Sequence, residues 1–119
     1  MMLLGFVVTG CGSSTSYSLA DTRACLQARG VEIGGKLDFV ASTATGGAFV
    51  AKLGGNPVKV VFGETESDAE QIELAYDHFA LPNVKAGLPD VLRRYKNTVT
   101  LWHEHPQESD LALVVGCLK

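Results

Sequence analysis

The chain has 119 residues, of which 46% are hydrophobic and 19% are charged, and its formal net charge at pH 7 is −3. This length favours one domain, and the composition supplies a hydrophobic core and argues against wholesale disorder. A general nucleic-acid binder carries a basic face, so the acidic balance argues against nucleic acid as a partner. No apolar run reaches the roughly 18 residues of a membrane-spanning helix.

The N-terminal residues resemble the signal of a bacterial lipoprotein. Residues 1–8, MMLLGFVV, are apolar without a break, and Val8-Thr9-Gly10-Cys11 resembles a lipobox, in which an aliphatic residue and two small residues precede a cysteine. The resemblance implies cleavage before Cys11, a diacylglycerol on its sulfur and a further acyl chain, such as palmitate, on its new amino group. Several acyl chains anchor a protein stably, because each buried CH₂ contributes roughly 0.8 kcal/mol.

The lipobox-like motif also implies a domain plan and a location. Residues 1–10 are expected to be a signal-peptide remnant, residues 11–17 a lipidated tether and residues 18–119 a single domain on the extracytoplasmic side of the cell membrane. A signal peptide normally opens with a basic residue, whereas the first one here is Arg23. We therefore expect the natural N-terminus to lie upstream of Met1.

Two alternatives to the lipoprotein signal stay open for the same stretch. Gly10-x-Gly12, with Glu32 twenty residues further on, resembles part of a dinucleotide-binding fingerprint, although Thr15 stands where the third glycine belongs. The second alternative is a plain buried strand followed by a glycine-rich turn.

A first helix and a hairpin are predicted next along the chain. Ser18 begins a capping-box-like SLAD sequence, which predicts a helix over residues 18–28. Residues 31–47 show no clean periodicity and are predicted to be mostly irregular. Residues 48–62, AFVAKLGGNPVKVVF, consist of two apolar runs around a Gly-Gly-Asn turn, which predicts a β-hairpin. Its alternation indicates one buried face, with Lys52 and Lys59 on the other.

A second helix is predicted from the capping box Ser67-x-x-Glu70 to the Leu81-Pro82 pair. An apolar stripe at helical spacing is expected to face the sheet; it comprises Ile72, Ala75, Tyr76 and Phe79. Residues 84–97 are interpreted as a basic connector with one short helix after Pro89.

A third strand, residues 98–104, and a final helix, residues 106–118, complete the chain. Leu111, Val114, Val115 and Leu118 are expected to be the buried residues of that helix. A strand–helix–strand step favours a parallel pair. We therefore predict an α+β fold: a two-layer sandwich in which a three-stranded mixed sheet carries helices on one face. The order of elements resembles a ferredoxin-like arrangement without its first strand, and also small exported actinobacterial proteins that carry no assigned activity.

The cysteine count links the N-terminal motif to the fold. If Cys11 is lipidated, Cys25 and Cys117 remain, and an oxidising compartment favours a disulfide between them. The alternative is that both are buried thiols. A bridge predicts Cα atoms about 4.4 to 6.8 Å apart.

Two stretches carry side chains with potential chemistry. His103-x-His105 on a strand would place both imidazoles on one face, and His78 or Asp77 could supply a third metal ligand; the alternative is an ordinary strand end. Arg93-Arg94, beside Tyr95 and Lys96, could bind an anionic partner or lipid headgroups, or form a solvated connector; these four lie in the basic connector.

Catalytic motifs are absent from the sequence: it contains no G-x-S-x-G, no C-x-x-C and no P-loop. The sequence thus predicts a non-enzymatic envelope lipoprotein that binds or scaffolds a partner, without a cofactor, and held to the membrane by its lipid anchor; that partner could be an envelope protein. The alternative is a metal-binding or enzymatic module that uses His103 and His105.

Overall fold

The computed structural model describes residues 16–119, so the predictions for Cys11 and the residues around it lie outside the described part. The described part contains six helices and five strands. The helices are α1 (Leu19–Ala28), α2 (Phe39–Ser42), α3 (Glu66–Phe79), α4 (Pro82–Lys85), α5 (Leu88–Val91) and α6 (Glu108–Cys117). The strands are β1 (Glu32–Ile33), β2 (Ala48–Lys52), β3 (Val58–Phe62), β4 (Leu92–Tyr95) and β5 (Thr98–Trp102).

The predicted α+β class is confirmed, but the sheet has five strands rather than three and is antiparallel rather than mixed. Its order is β1-β2-β3-β5-β4. The predicted basic connector contains β4, which turns into β5 through Lys96 and Asn97; Lys96 adopts a left-handed backbone conformation with φ 54°. Because β4 precedes β5 as a hairpin partner, β5 returns antiparallel to β3. The strand–helix–strand step therefore runs from β3 to β4, and β5 lies between them.

Helices cover both faces of the sheet, so the prediction of a two-layer sandwich with helices on one face is wrong. On one face, α1 and α6 pack over Phe49, Val60 and Phe62. On the other, α2, α3 and α5 pack around Val61 and Val99. Val61 belongs to the cluster on this second face and is fully buried. Both faces of the hairpin are therefore buried at this point, whereas the prediction was a hairpin with one buried face. The sheet is therefore the middle of three layers, with one hydrophobic cluster on each of its faces.

Helix boundaries follow the capping residues. Ser18 caps α1, as predicted, by accepting a hydrogen bond from the amide of Asp21. The capping box of α3 is Thr65 with Asp68 rather than Ser67 with Glu70, because the Thr65 hydroxyl and the Asp68 carboxylate exchange hydrogen bonds with each other's backbone. The N-cap of α3 therefore lies two residues before the predicted one.

The predicted pairing of the two remaining cysteines is confirmed. Cys25 in α1 and Cys117 in α6 form a disulfide with Cα atoms 5.4 Å apart. Residues at the start of α1 contact Lys119 beside it: the amide of Ser18 donates to the carbonyl of Lys119, and the amide of Lys119 donates to the hydroxyl of Thr22. Since the disulfide joins residues 92 positions apart, the chain-entropy model gives it on the order of 4 to 5 kcal/mol of stabilisation. Val114 in α6 and Leu118 directly after it are buried as predicted, whereas Leu111 is half-buried and Val115 is exposed.

Candidate functional site

A cleft of about 920 Å³ opens on the α2–α5 face of the sheet. Its floor comes from one end of the sheet, where β2 ends, β3 begins and β5 ends. Its walls come from the start of α2, the last turn of α3, and the short helices α4 and α5. Most of the lining is apolar and consists of Phe39, Val40, Val50, Pro57, Phe79, Ala80, Val84, Leu88, Val91 and Leu101. Small-molecule sites in proteins are typically concave, mostly apolar and about 300–1,000 Å³ in volume.

Three of the lining side chains leave large apolar surfaces in solvent. Phe39 is 76% exposed, Phe79 67% and Val84 48%. Phe79 was predicted to face the sheet with the rest of the α3 stripe, and that prediction is wrong. It is the last residue of α3 and lines the cleft instead. Grouped apolar exposure of this kind marks interaction sites, since an isolated exposed apolar residue is ordinary but a patch is not.

A polar network lies within this apolar lining. The Asp38 carboxylate accepts a hydrogen bond from Lys59 Nζ at 2.6 Å and from the Tyr76 hydroxyl at 3.0 Å to each oxygen. It also caps α2 by accepting from the Ala41 amide at 2.8 Å. One carboxylate thus ties β3, α2 and α3 together at the floor of the cleft.

The protonation of this network is fixed by its contacts. Burial disfavours the ionised Asp38, but the hydrogen bonds from Ala41, Lys59 and Tyr76 outweigh that effect and hold the pKa of Asp38 below its usual value. Burial, followed by the neighbouring Asp38 charge, raises the pKa of Tyr76 well above its usual range. Tyr76 therefore stays a hydrogen-bond donor and is not a base at neutral pH.

Loop 34–37 places a further charge at the cleft. The amide of Gly34 donates to the carbonyl of Val50 at 2.9 Å, which holds the loop against β2. Gly35 has φ +139°, and a Cβ at this position would lie 3.1 Å from the Val50 side chain. Only glycine combines this backbone conformation with so close an approach. The loop can therefore lie flat on β2 and carry Lys36 to the cleft lining.

The two histidines singled out in the sequence are separated by the fold. β5 ends at Trp102 rather than residue 104, so both follow the strand instead of lying on it. His103 lines the cleft, whereas His105 Nδ1 lies 2.8 Å from the exposed Asp90, which also pairs with Arg93 at 3.6 Å. Within residues 16–119 no three His, Cys, Asp or Glu side chains form a group that could hold a metal ion.

The arginines of the predicted basic connector are engaged with acidic side chains. Arg93 lies 3.6 Å from Asp90, and Arg94 Nε lies 3.2 Å from Glu73 on α3. Lys96 lies over the Tyr17 ring, with its ammonium 5.3 Å from the ring centre. These contacts hold the β4–β5 hairpin to its neighbours, so the segment is a structural edge rather than a solvated connector.

The Asp38–Lys59–Tyr76 network was missed at the sequence level. Its parts are far apart in sequence, and each has an ordinary local explanation. One signal did exist: Lys59 interrupts the apolar run VKVVF, and a lysine there needs either solvent or a partner on its face. The alternation did place Lys52 and Lys59 on the face opposite Phe49 and Val60, and the structure agrees.

The chain matches no protein-family model, no curated protein and no solved structure. Among the helices of residues 16–119, none is long and apolar enough to cross a bilayer.

Proposed function

We propose that this domain is a non-enzymatic binding module that holds a small, largely apolar molecule in the cleft between the sheet and α2–α5. The observation that carries the proposal is the exposure of Phe39 and Phe79 at the same concave surface. Burying apolar area is the main source of affinity in such sites, and a concave surface buries more of a small ligand than a flat one does.

The proposal includes the lipid anchor at Cys11. Two features support it: the Val8–Cys11 motif, and a disulfide, which persists mainly in oxidising compartments. The chain enters the domain at Tyr17, whose amide donates to the buried Asn97 side chain beside Gly63. This point lies past the end of β3.

The cleft lies at the other end of the same strand, where β3 begins at Val58. The five residues of β3 span roughly 14 Å at the usual rise per residue. A tether attached at Tyr17 would therefore leave the cleft at the far end of the domain, open to molecules in the surrounding compartment.

The experiment for the cleft uses N-phenyl-1-naphthylamine, a neutral fluorophore that brightens in apolar surroundings. We expect saturable binding to the folded domain, weakened about tenfold by the double variant Phe39→Ala/Phe79→Ala. Loss of that contact area corresponds to roughly 1.4 kcal/mol, which is tenfold in affinity. Both side chains are mostly exposed, so the variant should keep its thermal stability.

The control is Leu74→Ala, which removes another exposed apolar side chain, 56% accessible, on α3 outside the cleft lining. Equal binding by all three proteins would place the fluorophore elsewhere and refute the cleft as the site. Absence of saturable binding to the unaltered domain would refute the proposed function itself.

The anchor is tested separately, in the host, with the full chain. Protein carrying Cys11 should partition into detergent and begin at the modified cysteine, and Cys11→Ser should leave it unprocessed or released. A full-length product with an unmodified Cys11 thiol would contradict the lipoprotein proposal without affecting the cleft.

A further inference from the structure

We infer that the cleft selects an anionic amphiphile: a single apolar chain with a negatively charged headgroup. The inference rests on the proposed function, because it specifies the chemistry of the ligand that the same cleft would hold. It adds a claim about charge, which apolar burial alone does not require.

The charges that line the cleft oppose the charge of the whole chain. The chain has 13 acidic and 10 basic residues, yet the charged side chains of the cleft are three lysines and one aspartate: Lys36, Lys52, Lys59 and Asp38. Lys36, Lys52 and Lys59 are called the cleft lysines below. A cationic lining in an acidic protein attracts anions locally, and the apolar walls strengthen the attraction because they exclude water.

The single acidic residue of the lining does not offer a site for a cation. Both oxygens of Asp38 already accept hydrogen bonds, one from the Ala41 amide and the other from Lys59, and the Tyr76 hydroxyl donates to both. Lys59 neutralises the carboxylate at 2.6 Å. An ammonium carries three N–H donors, so Lys59 keeps donors beyond the one that Asp38 uses.

The other two cleft lysines have charge to offer. Lys36 is exposed and makes no ion pair with any residue of the described part. Lys52 pairs with Glu32 at 3.4 Å, but the side chains are 49% and 75% exposed, and exposed pairs of this kind contribute little. Lys52 can therefore turn to a ligand anion at small cost.

The geometry matches a molecule with one charged end. Apolar side chains of α3, α4 and α5 line one part of the cleft, and Lys36 and Lys52 come from loop 34–37 and the end of β2. A headgroup beside these lysines would leave its chain among Phe79, Val84 and the rest of the apolar wall. The residues that would contact the headgroup and those that would contact the apolar chain thus lie on different elements.

The test displaces N-phenyl-1-naphthylamine from the oxidised domain with three probes of equal chain length below their micelle concentrations: decanoate, decanol and decyltrimethylammonium. At low ionic strength we expect decanoate to compete about threefold to tenfold better than decanol, and the cation to compete worst. The size follows from one or two exposed charge contacts. Physiological salt should reduce the preference.

The variant Lys36→Gln/Lys52→Gln should abolish the preference for decanoate over decanol. Both side chains are exposed, so the fold should be retained, as thermal unfolding would verify. The control Lys119→Gln removes one positive charge from the C-terminal residue, outside the cleft lining, and should leave the preference intact.

The outcomes separate this inference from the proposed function. Equal competition by decanoate and decanol, a preference for the cation, or a decanoate preference that survives the double lysine variant would overturn the inference and leave an apolar binding site in place. If the fluorophore itself does not bind, the proposed function fails first.

Discussion

On one face of the sheet, two ten-residue helices lie side by side and are joined by the Cys25–Cys117 disulfide. On the other face, three of the four helices, α2, α4 and α5, have only four residues each. Helices this short form few internal hydrogen bonds and depend on their contacts for stability. The disulfide face closes the core, whereas the cleft face leaves apolar side chains in solvent.

This difference indicates that the disulfide face stabilises the domain, whereas the cleft face leaves apolar surface open to a ligand. A small domain buries a limited fraction of its surface, so covalent stabilisation of one face compensates for apolar surface left open on the other. Binding surfaces tend to lie in the less stable parts of a protein, because a ligand-accommodating region cannot also be the most tightly packed one. The predictions below test whether the two faces are independent.

The largest effect should come from the disulfide face. The double variant Cys25→Ala/Cys117→Ala should lower the free energy of unfolding by roughly 2 to 5 kcal/mol, because the bridge closes a loop of about 90 residues in the unfolded chain. Urea unfolding would measure the loss. At a temperature where the variant stays folded, its affinity for N-phenyl-1-naphthylamine should match that of the unaltered domain within twofold.

Two outcomes would contradict this account of the two faces. If the cysteine variant stays folded but loses cleft affinity, the disulfide face shapes the cleft, and the two faces are one unit. If removal of the bridge costs less than about 1 kcal/mol, the packing of α1 against α6 stabilises that face without covalent help.

A smaller effect should come from the polar network at the cleft floor. Tyr76→Phe removes one donor to Asp38 and should cost about 0.5 to 1.5 kcal/mol at pH 7. It should also raise the pKa of Asp38 towards its ordinary value, since one contact that stabilises the ionised form is gone. A carboxyl ¹³C titration would follow Asp38 directly.

The pH dependence of stability follows from the pKa shifts of Asp38 and Tyr76. The pKa of Asp38 is lower in the folded state than in the unfolded chain, so its contribution is present above about pH 4 and is lost as pH falls through the folded value. The pKa of Tyr76 is raised, so its contribution is present below about pH 10 and is lost as pH rises above that. In Tyr76→Phe, the stability that Asp38 contributes and that is lost at acid pH should be smaller. The stability that Tyr76 contributes and that is lost at alkaline pH should be absent.

Tyr95→Phe is the matched control for that variant. It removes a phenol hydroxyl that makes no contact with Asp38, so the pKa of Asp38 should not change. An unchanged Asp38 titration in Tyr76→Phe would contradict the network as described.

The sequence predicted elements whose signals are local. Alternation around Gly54-Gly55 found the β2–β3 hairpin, a capping sequence found α1, helical spacing found α3, the apolar residues after Pro106 found α6, and cysteine parity found the disulfide. It missed β4 because LRRY lies between a proline-led helix and a two-residue turn, and its arginines resemble a solvated connector. It missed β1 because two residues give no measurable period. Strand order then went wrong, since an unseen β4 changes the direction in which β5 must run.

The candidate site was less predictable than the fold for a physical reason. Its residues lie on seven separate elements and the loops between them, and only tertiary packing brings Asp38, Lys59 and Tyr76 within hydrogen-bond distance. Phe79 fits the apolar stripe of α3 by spacing alone. Its 67% exposure at the last residue of α3 depends on tertiary packing, which no helical period records.

The central claim, that the cleft on the α2–α5 face binds an apolar ligand, is tested most directly by amide chemical-shift mapping of a decanol titration. The account predicts saturable shifts concentrated at Gly35, Val50, Tyr76 and Leu101, with the amides of α1 and α6 unchanged. Shifts centred on α1 and α6, or spread evenly over both faces, would contradict it.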